Sequence, residues 1–463
     1  MVYIKLDRNS KESLTKQVYR HIKHMILNNK LKADEKLPSS RKLASELNIS
    51  RIVVVDAYEN LLAEGYTYAI KGSGHYINKN LTLERPQLPA PQVDFSEFEQ
   101  EHIEISFKSR IPALDMFPKA KWLKCYREAL YDSESTSFGY SYPSGQKSLR
   151  KTLADHLYKK RGIKCHEDQI IITSGSVQGL SLLSQYFKTC DGKVILEDPF
   201  NYTIRDMFEK NETIYQAIDK FGLDPDNFPK DTKISGIIMT PSHQYPMGTA
   251  SPISRRIELI KYARQHDCLI VEDDYDSAFR YDNSPVESLH ELDPERVIYL
   301  DSFSKVMMPS LRIGYMVLPT HMIEPIYKLK RISDITSPIL NQLTMDRFIQ
   351  YGYLDQHIQK MKSVYKRRRH HLIGLLNHYF TDQVTIHGVS AGIHIVAEFE
   401  GLVFDNQLIK SIEGDGVYIM RLSDNTEYPD KYKSHLILGY GNLTEGQLDK
   451  GIKILHKHLN KLN

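Results

Sequence analysis

A lysine can attack an aldehyde once its amine is neutral, and Lys305 is flanked by residues suited to that chemistry. It closes the run Asp301-Ser302-Phe303-Ser304-Lys305, directly after the apolar stretch Val297–Leu300, and Arg312 lies seven positions on. Past a strand end, Ser302, Ser304 and Arg312 suit phosphate oxygens while the amine meets an aldehyde. About thirty residues upstream, the apolar run Leu269–Glu272 delivers Asp273-Asp274-Tyr275. A carboxylate at Asp273 keeps a pyridine nitrogen protonated, and a phenol at Tyr275 hydrogen-bonds a ring oxygen. Still earlier, Ile170–Thr173 leads into Ser174-Gly175-Ser176-Val177-Gln178-Gly179 and a stretch of helical period. Small residues at a helix start bare its amides and turn the positive end of its dipole towards a dianion. Each feature alone is commonplace; SGS before a helix is most often a plain cap. Together, in this order and each at a strand end, they form the set that pyridoxal 5'-phosphate requires.

Such residues need a scaffold that brings strand ends together. The runs Ile170–Thr173, Val194–Glu197, Gly236–Met239, Leu269–Glu272 and Val297–Leu300 alternate with stretches of helical period. That alternation predicts an α/β body, a mostly parallel sheet covered by helices on both faces. Beyond about residue 330 the pattern changes to long amphipathic helices, Asn341 to Asn377, and then to the alternating runs Gly392–Phe399 and Ser434–Leu438. This predicts a smaller α+β lobe, so the large lobe covers about 105–330 and the small lobe about 331–463.

With GYSYPSGQKSLRKTLADHLYKKRG upstream and TPSHQYPMG between them, these segments resemble the fold-type I, class I aminotransferases from roughly residue 105 onward. The resemblance implies that Lys305 forms the Schiff base, that Asp273 and Tyr275 partner the ring, and that Ser176, Val177, Ser302 and Arg312 hold the phosphate. It departs at Tyr245-Pro246-Met247-Gly248, where this fold often carries Asn-Pro-Thr-Gly, so Tyr245 stands where an asparagine usually contacts the ring oxygen. The aromatic over the ring should follow Glu197-Asp198-Pro199, where Phe200 and Tyr202 compete and Phe200 is preferred. An amino-acid effector also needs an arginine for its carboxylate. Arg421, after the strand-like run Val417–Met420, is the candidate.

The net charge of +3 hides an asymmetry, since residues 1–80 carry 14 Lys and Arg against 8 Asp and Glu. A basic module of this size suits a polyanion. Residues 11–29 read as an amphipathic helix. Ser39 or Ser40 can cap a short helix ending near Leu47, Asn48 and Ile49 turn, and Ser50 can cap a second helix from Arg51 to about Glu64. Val54, Tyr58 and Leu61 share the inner face of that second helix, and its first turn presents Ser50 and Arg51 outward. TYAIKGSGHYI then alternates like a hairpin turning at Gly72-Ser73-Gly74, a wing whose Lys71 and amides can reach phosphate. The segments LPSSRKLASELNISR, AYENLLAEGY and KGSGHYI closely resemble the winged helix-turn-helix domain of the GntR regulators, over nearly all of residues 10–77. That implies contact with double-stranded DNA from Arg41, Ser50 and Arg51 and from the wing, Lys71, Gly72, Ser73, Gly74 and His75. Ile52-Val53 departs from the polar residue and threonine often found there.

Between module and body, residues 81–104 combine prolines with acidic residues and no periodicity, which predicts a semi-stiff linker. Four cysteines, tens of residues apart and without a CxxC pair, read as reduced thiols and disfavour zinc or a disulfide framework. No apolar run approaches a membrane span and no secretory signal is visible, so the cytoplasm is the expected compartment. A GntR module joined to an aminotransferase-like body resembles the MocR/GabR-type transcriptional regulators over essentially the whole chain. The resemblance implies a homodimer, domain-swapped head to tail, that binds a DNA operator and senses pyridoxal phosphate itself or a small amine or amino acid through Lys305, with little turnover. The competing reading is a working aminotransferase with a fused DNA-binding module, and the residues alone do not separate the two.

Overall fold

The computed structural model describes residues 4–79, 81, 103–281 and 287–460, and the chain divides into two compact units, Met1–Glu99 and Gln100–Asn463. The linker expected over 81–104 falls almost wholly outside the described residues.

The first unit has three helices, α1 (Leu14–Leu27), α2 (Ser40–Leu47) and α3 (Arg51–Ala63), and a hairpin of β1 (Thr67–Ile70) and β2 (Gly74–Ile77). The Ser39 hydroxyl accepts from the Lys42 amide at 3.2 Å and starts α2, and Asn48 in the left-handed region (φ 52°) ends it. Ser50 occupies the N-cap position of α3 as expected, yet its hydroxyl makes no capping bond. Val18, Ile22 and Ile26 of α1, Leu43 of α2, and Val54, Tyr58 and Leu61 of α3 close one small core with Ile77 of the wing.

In the second unit, the first strand is β3 (Ile105–Ser106). The main sheet follows with β4 (Ile170–Thr173), β5 (Lys193–Asp198), β6 (Ile214–Ala217), β7 (Ile234–Met239), β8 (Leu269–Asp273), β9 (Val297–Ser302) and β10 (Gly314–Val317). Their order is β4-β10-β9-β8-β7-β5-β6, parallel throughout except for β10, which runs antiparallel to both neighbours. Alternate residues are buried on opposite faces. Val194, Leu196, Ile238 and Val271 pack with helix Ser176–Phe187 on one side, and Ile195, Ile237 and Ile270 pack with helix Ile253–Gln265 on the other. Every parallel strand therefore ends at the same sheet edge, where the chemistry-bearing residues lie.

The small lobe is built on β11 (Val384–His387), β12 (His394–Phe399), β14 (Met420–Arg421) and β15 (His435–Gly439), backed by helices Tyr353–Phe380 and Glu445–Leu459. A short β13 (Val417–Tyr418) pairs in parallel with β3. Residues 105–109, expected to open the large lobe, are therefore held by the small one. The Gly439 amide donates to the Phe107 carbonyl at 2.8 Å, and a Cβ at Gly439 would meet the Lys108 carbonyl oxygen at 2.4 Å. The long helical stretch breaks once, at Gly352 in the left-handed region (φ 68°).

Candidate functional site

Three strand ends and two loops enclose a cavity of about 150 Å³. From the β4 end come Gly175, Ser176 and Val177, from β8 Asp273 and Tyr275, and from the loop after β9 Ser304, Lys305 and Arg312; Phe200, Asn201 and Tyr245 close it from the loops after β5 and β7. Gly175 takes φ 106°, a conformation open to glycine, and helix Ser176–Phe187 starts there without a side-chain cap. Its first amides face the cavity beside Arg312, whose Nη1 would lie 3.5 Å from a Cβ built on Gly175. Close approach of two backbones sets this corner, because a Cβ on Gly314 of β10 would meet the Gly175 Cα at 2.8 Å. Amides, a serine hydroxyl and a guanidinium converge, as a phosphate requires.

At the opposite wall burial controls the charges. It pushes the Lys305 amine down to about 7, helped by the Arg110 guanidinium and opposed by Asp273 and Asp276. A buried amine without hydration holds its proton weakly, and so it is nucleophilic near neutrality. Burial likewise raises the Asp273 carboxyl to about 7, with Asp274 adding to the effect. Its Oδ1 is buried without a partner. An unmatched acceptor facing a cavity is costly unless a donor arrives, and a pyridinium N–H is such a donor. The Tyr275 hydroxyl lies 3.1 Å from His243 Nδ1, which in turn lies 3.0 Å from Asp276 Oδ2; burial drives the phenol well above its ordinary pKa. Tyr275 is thus a fixed neutral hydroxyl. Tyr245 packs edge-on against Tyr275 at 5.9 Å, and its hydroxyl meets Ser109 Oγ at 2.9 Å. The residues present fit pyridoxal phosphate. When bound, that group would supply an aldehyde and an electron-withdrawing ring; Lys305 would supply the amine, Asp273 the ring-nitrogen partner, and Ser176, Val177, Ser304 and Arg312 the phosphate contacts.

Not every expected residue reaches the cavity. Ser302 is buried at the end of β9 and borders a neighbouring cavity with Arg161, Asp274 and Tyr299. Arg421 is used elsewhere: Asp424 holds it at 2.9 Å, Asn406 Oδ1 at 2.8 Å and the Phe404 carbonyl at 3.4 Å. Of the two competing aromatics, Phe200 lines the cavity, whereas Tyr202 is 45% exposed and does not. Sequence reasoning missed Arg110, Asn201 and Thr240, which also line the cavity. For Arg110, which follows Lys108-Ser109 in a mixed polar stretch, no local signal set it apart, and its approach to Tyr245 is purely tertiary.

On the winged unit, Arg41, Ser50, Arg51, Lys71, Gly72 and Ser73 are exposed. Arg51 Nε donates to Ser40 Oγ at 3.2 Å, which ties the start of α3 to the start of α2. Among the described residues no carboxylate pairs with Arg41, Arg51 or Lys71, so these cations stand open to phosphate. Gly74 is half-buried. His75 departs from expectation: it pairs with Ala69 in the hairpin and turns its ring onto Tyr58 at 5.2 Å, with Nδ1 buried.

Residues 14–77 match the family of bacterial regulatory proteins, gntR family, and residues 116–455 match aminotransferase class I and II. The HTH-type transcriptional regulator YdeL of Bacillus subtilis is 31% identical over 97% of both chains. The probable rhizopine catabolism regulatory protein MocR of Rhizobium meliloti is 28% identical over 97% of this chain and 94% of that one. This chain belongs to the MocR-type transcriptional regulators. The second unit of this MocR-type regulator has the aminotransferase fold: the crystal structure of kynurenine aminotransferase from Pyrococcus horikoshii, 25% identical, superposes with a TM-score of 0.73 over 81% of this chain and 96% of the enzyme.

Proposed function

We propose that this MocR-type regulator binds operator DNA as a homodimer, exchanging domains head to tail, and that its aminotransferase-like unit senses pyridoxal phosphate, alone or with a small amine or amino acid. Lys305 is the covalent anchor for the cofactor's aldehyde. The observation that carries this reading is one cavity holding a buried lysine whose amine is pushed down to about 7, a buried unpartnered carboxylate oxygen on Asp273 and a phosphate cradle at Gly175–Val177. The exposed side chains of Arg41, Arg51 and Lys71 support DNA contact, with Ser50, Gly72 and Ser73 contributing hydroxyls and amides. Phe138, Tyr140 and Tyr142, respectively 48, 91 and 72% exposed, support a second copy as the cover for that surface.

A signal requires that ligand bind one arrangement of the protein better than another. The cavity walls come from both lobes, Lys305 from the large one and Arg110 from a segment held by the small one, so a ligand touching both favours their closure. The test is the visible absorbance of the purified protein with pyridoxal phosphate, followed by its binding to duplexes selected from a random DNA pool, with and without single amines. An absorbance band that Lys305→Ala abolishes, and DNA affinity that moves with the same amine, support the reading. The second reading, a working aminotransferase, draws on the same amine, whose lowered pKa of about 7 also suits a proton shuttle. Sustained release of keto acid from amino acids would establish it; the sensor reading expects none.

A further inference from the structure

The two faces of the small-lobe sheet differ in character. Ile395, Ala397 and Phe399 of β12 and Leu436 and Leu438 of β15 pack onto helices Tyr353–Phe380 and Glu445–Leu459. The alternate residues point the other way. On that second face Val396 and Ile437 pack with Met420 and Tyr432, and beside them three polar side chains meet, His387 of β11, Glu398 of β12 and His435 of β15. Register puts them there. Glu398 stands directly opposite His435, and His387 stands opposite Val396, one diagonal step from Glu398 on the same face. His387 Nε2 lies 3.0 Å from Glu398 Oε2, and His435 Nε2 lies 3.5 Å from the same oxygen. The two imidazole planes are within 16° of parallel, and one ligand atom from each residue falls within 4.8 Å of the others.

We infer that His387, Glu398 and His435 hold a divalent cation of the zinc class, with a fourth position left to water. Two donors each about 2.0–2.1 Å from one Zn²⁺ stand about 3.3 Å apart at the tetrahedral angle, and the two His–Glu separations straddle that value. Hydrogen bonding accounts for only one of them, because the 3.5 Å contact of His435 lies outside the range of about 2.7–3.2 Å. The His435 ring is held for ligation: Ser434 Oγ, 3.1 Å from Nδ1, is a partner for the ring proton that leaves the Nε2 lone pair to a metal, and Tyr432 stands edge-on at 5.3 Å. Neutral imidazoles with one carboxylate suit a borderline-soft dication such as Zn²⁺, whereas Mg²⁺ and Ca²⁺ take oxygens. His435 is buried, but the side chains of His387 and Glu398 are 32 and 38% exposed, so an ion can enter and a water can complete its shell. Because β11 is the edge strand, the cation clips that edge to the two strands inside it. Cysteine spacing disfavours zinc in this chain, yet these ligands meet through strand register, which spacing along the sequence does not reveal. None of the three lines the cavity of Lys305, so the inference stands apart from the cofactor reading.

The test takes the full chain, freed of metal with a chelator, and titrates it with Zn²⁺ and separately with Mg²⁺ and Ca²⁺, by calorimetry and by melting temperature. Wild type should bind about one equivalent of Zn²⁺ in the micromolar range or tighter and melt higher with it. His387→Gln and Glu398→Gln each remove a ligand at a partly exposed position while nearly keeping its size, and His435 is left in place because it is buried. Each variant should keep native far-UV dichroism, bind that equivalent at least about tenfold more weakly and lose most of the rise in melting temperature. An equivalent of Zn²⁺ bound equally well by wild type and both variants lies elsewhere in the chain and overturns the inference. So does a wild type that takes up no Zn²⁺, which would leave only a hydrogen-bonded cluster. Mg²⁺ or Ca²⁺ bound as tightly as Zn²⁺ would overturn the assignment to the zinc class.

Discussion

Burying an amine and a carboxyl in one cavity moves their protonation towards the same range, about 7 for both Lys305 and Asp273. For Lys305 the unfolded chain keeps its proton up to about 10.5, so between about 7 and 10.5 the unfolded state holds more protons and the fold gains stability as pH rises. Below about 7 the folded protein must bury a charge. Lys305→Met should therefore stabilise the cofactor-free protein at pH 6 by an amount of the order of a few kcal/mol, fading towards pH 10, in denaturant titrations at several pH values. A gain that does not change with pH would refute the burial argument. The same proton governs capture: the rate at which the cofactor-free protein takes up pyridoxal phosphate should climb as pH rises through about 7 and then level off, and a stopped-flow profile that is flat or falling there contradicts it.

Two serines at equivalent positions before helices make opposite predictions. The Ser39 hydroxyl caps α2, so Ser39→Ala should cost about 1 kcal/mol in the winged unit, whereas Ser50→Ala should leave stability within about 0.5 kcal/mol and weaken DNA binding instead. Equal losses of stability would remove the case for a free Ser50 hydroxyl. At the sheet edge, Gly314→Ala presses a methyl on Gly175 and should disrupt the phosphate corner, seen as a drop in cofactor affinity of about tenfold or more while far-UV dichroism stays native. Strand ends were legible because each motif is local: an apolar run, then the polar residue that must follow it. The missing elements are those set by distant contacts. Strand β10 enters antiparallel between β4 and β9, and β3 pairs with β13 some three hundred residues on, so neither placement nor the arrival of Arg110 is written in local periodicity. Arg421 lies against an aspartate three positions along, and hairpin register, not its neighbourhood in sequence, decides which face His75 takes.

Taken as a whole chain, a basic winged unit and an aminotransferase-like unit have value together only if one changes what the other does. On the proposed reading the exposed cations of the first unit, Arg41, Arg51 and Lys71, would give its DNA affinity a salt dependence. Removing one of these exposed cations, by Arg41→Ala or by Lys71→Ala, should then lower the slope of log K against log salt by about one. An unchanged slope would move the DNA interface to another face. Ile52, 65% exposed beside them on α3, offers a methyl surface to thymine, so selected duplexes should carry a thymine preference that Ile52→Ala removes. On the proposed reading Lys305 is the link between ligand and DNA. The decisive measurement is the affinity of wild type and Lys305→Ala for one selected duplex, titrated with pyridoxal phosphate and then with the amine that alters its absorbance. The two proteins should bind with equal affinity without ligand, and ligand should shift that affinity by at least about fivefold in wild type and not at all in the variant. An equal shift in both proteins would contradict that reading, because the signal would then reach DNA without passing through Lys305.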